Sequence, residues 1–130
     1  MNAAAADQLV GAARRAREHA HAPYSGFAVG AAVLSGGRVF TGVNVENASY
    51  PLSVCAERNA VAAAVAAGAT AVEGVAVVTD ALDPTPPCGG CRQVLFEFGP
   101  GAVVVSQTLG GARTMWTLRE LLPDAFSFDR

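Results

Sequence analysis

The amino-acid sequence predicts a single α/β domain over residues 1–130, three layers deep, with a mixed five-stranded sheet between helices. Three observations predict it. The apolar segments follow the order α-β-β-α-β-α-β-β-α, which mixes hairpins with strand-helix-strand units. With 130 residues, 52% of them hydrophobic, the chain has material for one real core. No long linker, internal repeat or charge block divides it.

Taken in order, residues 3–20 are alanine-rich with Leu9, Val10 and Ala13 at helical spacing, and Pro23 closes the segment. Residues 27–34 and 38–45 are apolar runs separated by Ser35-Gly36-Gly37. Glycine supplies the positive φ of a tight hairpin turn there, so these are two antiparallel strands. Residues 55–67 become almost wholly alanine and valine and stop at Gly68, a helix with its C-terminal glycine. Apolar all round and built of small side chains, that helix belongs against a sheet face or at a subunit junction. Residues 72–79 read as a strand, 89–98 as a helix and 102–106 as a strand. Gly110-Gly111 turns the chain into a short strand at 113–116. Thr117 caps a last helix reaching Leu122, with Glu120 completing a capping box.

Charge narrows the function. The formal net charge is -2 and the nine Lys and Arg residues are scattered, so no basic stripe exists to neutralise a run of phosphates. A nucleic-acid polymer is disfavoured as substrate. No apolar run approaches the roughly 18 residues that span a bilayer, and residues 1–6 carry no basic start of a signal peptide. Three cysteines, two of them in Cys88-Gly89-Gly90-Cys91, suit metal or redox chemistry in the cytoplasm better than a disulfide framework.

Cys55-Ala56-Glu57 lies at the start of one predicted helix and Pro87-Cys88-Gly89-Gly90-Cys91 at the start of the next. At a helix N-terminus the unpaired N–H groups and the macrodipole favour thiolate, the form that binds zinc. Cys88 and Cys91 can face one point, and Cys55 supplies a third sulfur from another segment. The fourth tetrahedral position stays open for water, as in catalytic zinc sites. Three thiolates leave excess negative charge, which the two helix dipoles, Arg58 and Arg92 can offset. Glu57 stands two residues beyond Cys55 and is the candidate acid and base. Taken singly, each of these residues has a plainer role: a lone cysteine usually packs in a core, and a glutamate in a first helical turn usually complements the dipole. Their combination is what points to a metal centre.

These segments, together with Ala22-Pro23-Tyr24-Ser25, Phe27, Val29-Gly30-Ala31-Ala32, Asn44-Val45-Glu46-Asn47-Ala48-Ser49-Tyr50, Arg92-Gln93 and Leu121-Leu122-Pro123, resemble the cytidine deaminase family in its small, homotetrameric, three-cysteine form. The resemblance implies one Zn²⁺ per chain and hydrolytic deamination of cytidine and 2'-deoxycytidine to uridine and 2'-deoxyuridine plus ammonia, a step of pyrimidine salvage. It implies that Glu57 moves protons between water, ring N3 and the departing ammonia. Asn44 and Glu46 would then hydrogen-bond the ribose hydroxyls, Phe27 would stack on the pyrimidine, the Ala56 backbone would meet the carbonyl edge, and Tyr50 would join the pocket. Phe126 would come from a neighbouring subunit of a homotetramer, and Gln93 would stand with Arg58 and Arg92 behind the sulfurs.

Three other readings stay open on the residues. One is a structural zinc module closed by His19 or His21, and another is a redox dithiol of Cys88 and Cys91. The third is a pocket reshaped for a cytosine-nucleoside antibiotic, the substrate of a related family with the same metal motifs.

Overall fold

A computed structural model of the chain describes residues 1–128, so residues 129 and 130 of the expected domain lie outside the described residues. Helix α1 (Ala3–Arg17) starts where the Asn2 side chain accepts the Ala5 N–H at 2.8 Å, and it buries Ala6, Leu9, Val10 and Ala13. It ends three residues short of the expected boundary. His19 and Ala20 donate three residues back to Ala16 and Arg17, the tightening common at a frayed last turn.

Strands β1 (Gly30–Ser35) and β2 (Arg38–Val43) form the hairpin, closing at Gly36 and Gly37. A short 3₁₀ turn at Tyr50–Leu52, unanticipated in the sequence, leads into α2 (Ala56–Ala66). Then follow β3 (Gly74–Thr79), α3 (Gly89–Phe98), β4 (Val103–Thr108), β5 (Arg113–Thr117) and α4 (Leu118–Leu121). Thr117 and Glu120 form the expected capping box.

The sheet order is β2-β1-β3-β4-β5, antiparallel throughout except for the parallel pair β3 and β4. Alternate residues of the central strands serve opposite layers. Ala32, Ala76, Val78 and Val105 pack against Leu9, Val10 and Ala13 of α1. Ala31, Val33, Val75, Val77 and Val104 pack against α2, with Leu95 of α3 and Leu118 of α4 joining them. Each fully buried Val or Leu is worth roughly 1.5–3 kcal/mol, so this two-sided core is the main support of the fold. The small residues of α2 let it lie directly on β2. A Cβ at Gly42 would sit 2.3 Å from the Ala60 nitrogen and 2.5 Å from the Ala56 carbonyl, so any larger residue there would push the helix away.

Antiparallel pairing sets Gly30 opposite both Val43 and Val78. The start of β1, the end of β2 and the end of β3 therefore meet at one edge of the sheet, and the starts of α2 and α3 open onto it. The first strand was expected from residue 27 but begins at Gly30. Over residues 27–29 the Asn44 side chain takes the place of a strand partner: its Oδ1 accepts the Val29 N–H at 2.9 Å and its Nδ2 donates to the Phe27 carbonyl at 2.7 Å.

Candidate active site

Cys55 is the N-cap of α2 and Cys88 the N-cap of α3, both in extended backbone, while Cys91 lies in the first turn of α3 and is fully buried. The Cys88 sulfur also accepts the Cys91 N–H at 3.4 Å, so one side chain caps the helix and faces the cluster. The Cys55 and Cys88 sulfurs are 3.9 Å apart, those of Cys88 and Cys91 3.3 Å, and all three lie within 4.8 Å of one another. Sulfurs at the corners of a tetrahedron with zinc bonds of about 2.3 Å stand about 3.8 Å apart, so the three are placed to share one zinc ion.

The electrostatics agree with a shared site. The Cys55 thiol is brought down to about 6, chiefly by the hydrogen bond from the Cys91 thiol, with Cys88 and the Arg58 charge assisting against the opposing effect of burial. Cys91 shifts the other way, held protonated by its bond to Cys55 and by burial. In α2, Glu57 is 5% exposed. Burial pushes its carboxyl up to about 7 and the Cys55 charge adds to the shift, while hydrogen bonds from its own N–H and from Cys91 resist it. Through Cys55 and Cys91 the carboxyl is thus linked electrostatically to the cluster.

The cluster floors a cavity of about 400 Å³. Its lining falls into segments: Phe27, Val29, Asn44, Glu46 and Tyr50 form the wall that flanks β1 and β2, Cys55, Ala56, Glu57 and Cys88 lie at the starts of α2 and α3, and Thr85 and Pro86 form the wall contributed by the stretch after β3. Glu46 is buried and accepts three hydrogen bonds from one segment: Oε1 takes the Tyr24 and Ser25 N–H groups, each at 3.0 Å, and Oε2 takes the Ser25 hydroxyl. The Ser25 hydroxyl holds the carboxyl below its ordinary 4.5, against some desolvation, and the two N–H groups and the Tyr50 hydroxyl add to that effect.

Nearly every residue singled out in the sequence reaches this edge of the sheet, with exceptions in detail. Arg92 points no donor at a sulfur: its Nε donates to the Pro87 carbonyl at 2.7 Å and one Nη to the Leu121 carbonyl at 2.8 Å, which braces the Cys88 segment from behind. Arg58 is exposed and acts on Cys55 through its charge. Gln93 donates to the Phe126 carbonyl at 3.0 Å. Phe126 itself is 63% exposed, lies edge-on to Phe128 with ring centroids 5.3 Å apart, and is not part of the cavity wall. Ser25 stands in the Ala22-Pro23-Tyr24-Ser25 motif without an assigned role, and Thr85 and Pro86 belong to none of the motifs that carry the resemblance. The signal available for them was position: Ser25 follows Pro23-Tyr24, and Thr85-Pro86 leads directly into Pro87-Cys88.

Among the described residues, neither His19 nor His21 joins the metal cluster, so the closed Cys3His alternative lacks its fourth ligand. A dithiol reading of Cys88 and Cys91 leaves unexplained why a third sulfur stands 3.9 Å from Cys88. No helix among the described residues is long and apolar enough to cross a membrane.

Comparison with known proteins gives a consistent result. Residues 4–107 match the family model described as the cytidine and deoxycytidylate deaminase zinc-binding region. The chain is 48% identical over 121 residues to the cytidine deaminase of Halalkalibacterium halodurans, covering 92% of each chain. It is 44% identical over 123 residues to that of Sporosarcina psychrophila, covering 93% of this chain and 90% of the relative. The crystal structure of cytidine deaminase from Burkholderia pseudomallei superposes with a TM-score of 0.89 at 48% identity, over 97% of this chain and 100% of the other.

Proposed function

The chain belongs to the cytidine and deoxycytidylate deaminase family, and on that premise we propose that it is a zinc-dependent hydrolase converting cytidine to uridine and ammonia, with Glu57 as the proton carrier. The observation that carries this is a buried carboxyl beside three convergent sulfurs, with Glu57, Cys55 and Cys88 lining a cavity of about 400 Å³. Cys55, Cys88 and Cys91 would hold the metal. Zinc, when bound, supplies Lewis acidity that makes water acidic enough to lose a proton near neutral pH.

The rest falls to the protein's own side chains. Glu57 accepts a proton from water and gives it to ring N3 as the water oxygen bonds to C4; it then takes the remaining proton from that oxygen and delivers it to the amino group, so that the C4–N bond breaks, C4 becomes a carbonyl and ammonia leaves. Phe27 packs on the pyrimidine face, and the Ala56 backbone at the start of α2 meets the carbonyl edge. Glu46 and Asn44 receive the ribose hydroxyls. Glu46 keeps its charge because the Ser25 and Tyr24 donors stabilise it, which makes it a strong acceptor for a hydroxyl. The reading extends to 2'-deoxycytidine as substrate and to a role in pyrimidine salvage, as the family resemblance implies.

The family covers both nucleosides and nucleotides, and the cavity favours the nucleoside. None of the described residues lining it is Lys, Arg or His, while Glu46 and Glu57 are carboxyls. A 5'-phosphate would bring about two negative charges beside Glu46 with no cation to meet them, so the monophosphates should be turned over at least about a hundredfold less efficiently.

A homotetramer with shared sites is part of the reading. Val54, Val61, Ala62, Val65, Val94 and Phe98 line an open apolar groove between α2 and α3, and Phe126 stands exposed; a second copy would cover the first and receive the second. Three reduced thiols at a metal site suit the cytoplasm.

The test is an ultraviolet assay of cytidine conversion with ammonia detection and metal analysis on wild type and Glu57→Gln. About one zinc per chain is expected in both, with turnover in the variant reduced at least about a hundredfold. Unreduced turnover in the variant would remove Glu57 from its role.

A further inference from the structure

Arg17, at the end of α1, lies outside the cavity yet ties both of its walls together. Its Nε donates to the Ala28 carbonyl at 2.9 Å, between Phe27 and Val29 in one wall. Its Nη2 stands 3.5 Å from Oδ2 of Asp80, the first residue after β3. Asp80 opens the stretch that carries Thr85 and Pro86 to the other wall before the chain reaches Cys88 at the start of α3. The same stretch is pinned further along by the Thr79 and Thr85 hydroxyls at 2.9 Å, so Arg17 holds its near end.

Arg17 itself has little freedom. A Cβ at Gly30 would lie 2.0 Å from the Ala13 carbonyl and 2.8 Å from the Arg17 nitrogen, so the last turns of α1 rest directly on β1. Its side chain is 17% exposed, against 51% for Asp80, so the shielded arm of the fork is the one on Ala28. A planar guanidinium can serve two acceptors in fixed directions at once, which a single ammonium cannot reproduce.

We propose that Arg17 is a positioning residue for the deamination: it sets the separation between the wall that carries Phe27 and the wall that carries Thr85 and Pro86. This rests on the functional reading above. A ring slot opened by a fraction of an ångström weakens substrate binding, while the metal ligands and Glu57, fixed at the starts of α2 and α3, keep their geometry. A residue important only for folding would lower the melting temperature and leave the KM of the folded enzyme alone.

The experiment is steady-state kinetics on cytidine, with zinc analysis and thermal melts, for wild type, Arg17→Met, Arg17→Lys and Asp80→Asn. Arg17→Met keeps the apolar stem and removes the fork. It should hold one zinc per chain, raise KM about tenfold and change kcat less than about threefold. Arg17→Lys should recover part of the loss. Asp80→Asn should move KM less than Arg17→Met does, since it spares the Ala28 bond. On a Phe27→Leu background, Arg17→Met should raise KM no more than about twofold, because the ring it positions is gone. An unchanged KM in zinc-loaded Arg17→Met, or full additivity with Phe27→Leu, overturns the proposal. Should Arg17→Met not fold, a wild-type KM in Arg17→Lys overturns it equally. Wild type that releases no ammonia from cytidine overturns the functional reading instead, so the two failures are distinguishable.

Discussion

At the floor of the cavity three side chains from two helix starts converge through their own sulfur atoms, whereas at its mouth Glu46, Asn44 and Ser25 hold the chain through bonds between side chains and backbone. The floor takes its geometry from α2 and α3, whose first turns are anchored in the core by Ala56, Ala60 and Leu95. The mouth takes its geometry from a mutual net: Glu46 holds residues 24 and 25, the Ser25 hydroxyl accepts the Phe27 N–H at 3.0 Å, and Asn44 holds residues 27 and 29. Under the proposed function, the difference separates chemistry from binding. Damage to the floor should abolish turnover, and damage to the mouth should chiefly raise KM.

The largest effect tests the floor. Cys91→Ala deletes its buried sulfur; zinc should fall well below one per chain and turnover by at least about a thousandfold. Chelation of the wild-type metal should likewise stop turnover and lower the melting temperature. The far-ultraviolet circular dichroism should survive, because the layer of α1 on the sheet contains no metal ligand. Loss of that spectrum on chelation would mean the metal is a folding element first, and the contrast between the two ends would collapse.

At the mouth, Glu46→Gln keeps the shape and removes the charge. Cytidine KM should rise about tenfold or more while zinc content stays at one and kcat changes less, the pattern of a binding group that accepts a hydroxyl. A fall in kcat with KM unchanged would move Glu46 from binding to chemistry. Asn44→Ala should act more softly on kinetics and more plainly on stability. It removes two hydrogen bonds that replace a strand ladder, worth about 1 kcal/mol each, so unfolding free energy should drop by about 2 kcal/mol. KM should rise several-fold as residues 27–29 loosen.

The same division explains what could be read from the amino-acid sequence. The element order, the layers and the capping box at Thr117 follow from apolar period and local signals, and the floor is legible because cysteine and glutamate at helix starts have few other uses in that combination. The mouth is harder to read because its bonds end on backbone carbonyls and N–H groups, which carry no residue signature. Phe27, Ala28 and Val29 look like strand because they are apolar; only the position of Asn44 across the edge shows that a side chain has taken over their pairing. Ser25 and Arg17 escape for the same reason, since their partners are Glu46, the Phe27 N–H and the Ala28 carbonyl from distant or neighbouring turns. Arg92 is a related case: it follows Cys91 directly, and its Nε and one Nη are bonded to the Pro87 and Leu121 carbonyls, again backbone partners with no residue signature.

The smallest expected effect sharpens the comparison by asking whether the mouth contributes to stability through charge. Glu46 is held below its ordinary 4.5 in the fold, first by the Ser25 hydroxyl and against some desolvation, then by the Ser25 and Tyr24 N–H groups and the Tyr50 hydroxyl. A depressed folded value means the unfolded chain binds the proton more tightly. The carboxylate's contribution is therefore complete above 4.5 and is lost as pH falls through the lower folded value. Melting temperatures of wild type and Glu46→Gln, measured from pH 7 down to about 3, should differ by a constant amount at the upper end and converge at the lower end. A gap that stays constant through that acid range would show that the net at the mouth is held by shape alone. Its donors would then be as well served by a neutral amide, and the strong-acceptor role given to the Glu46 charge would have to pass to Asn44.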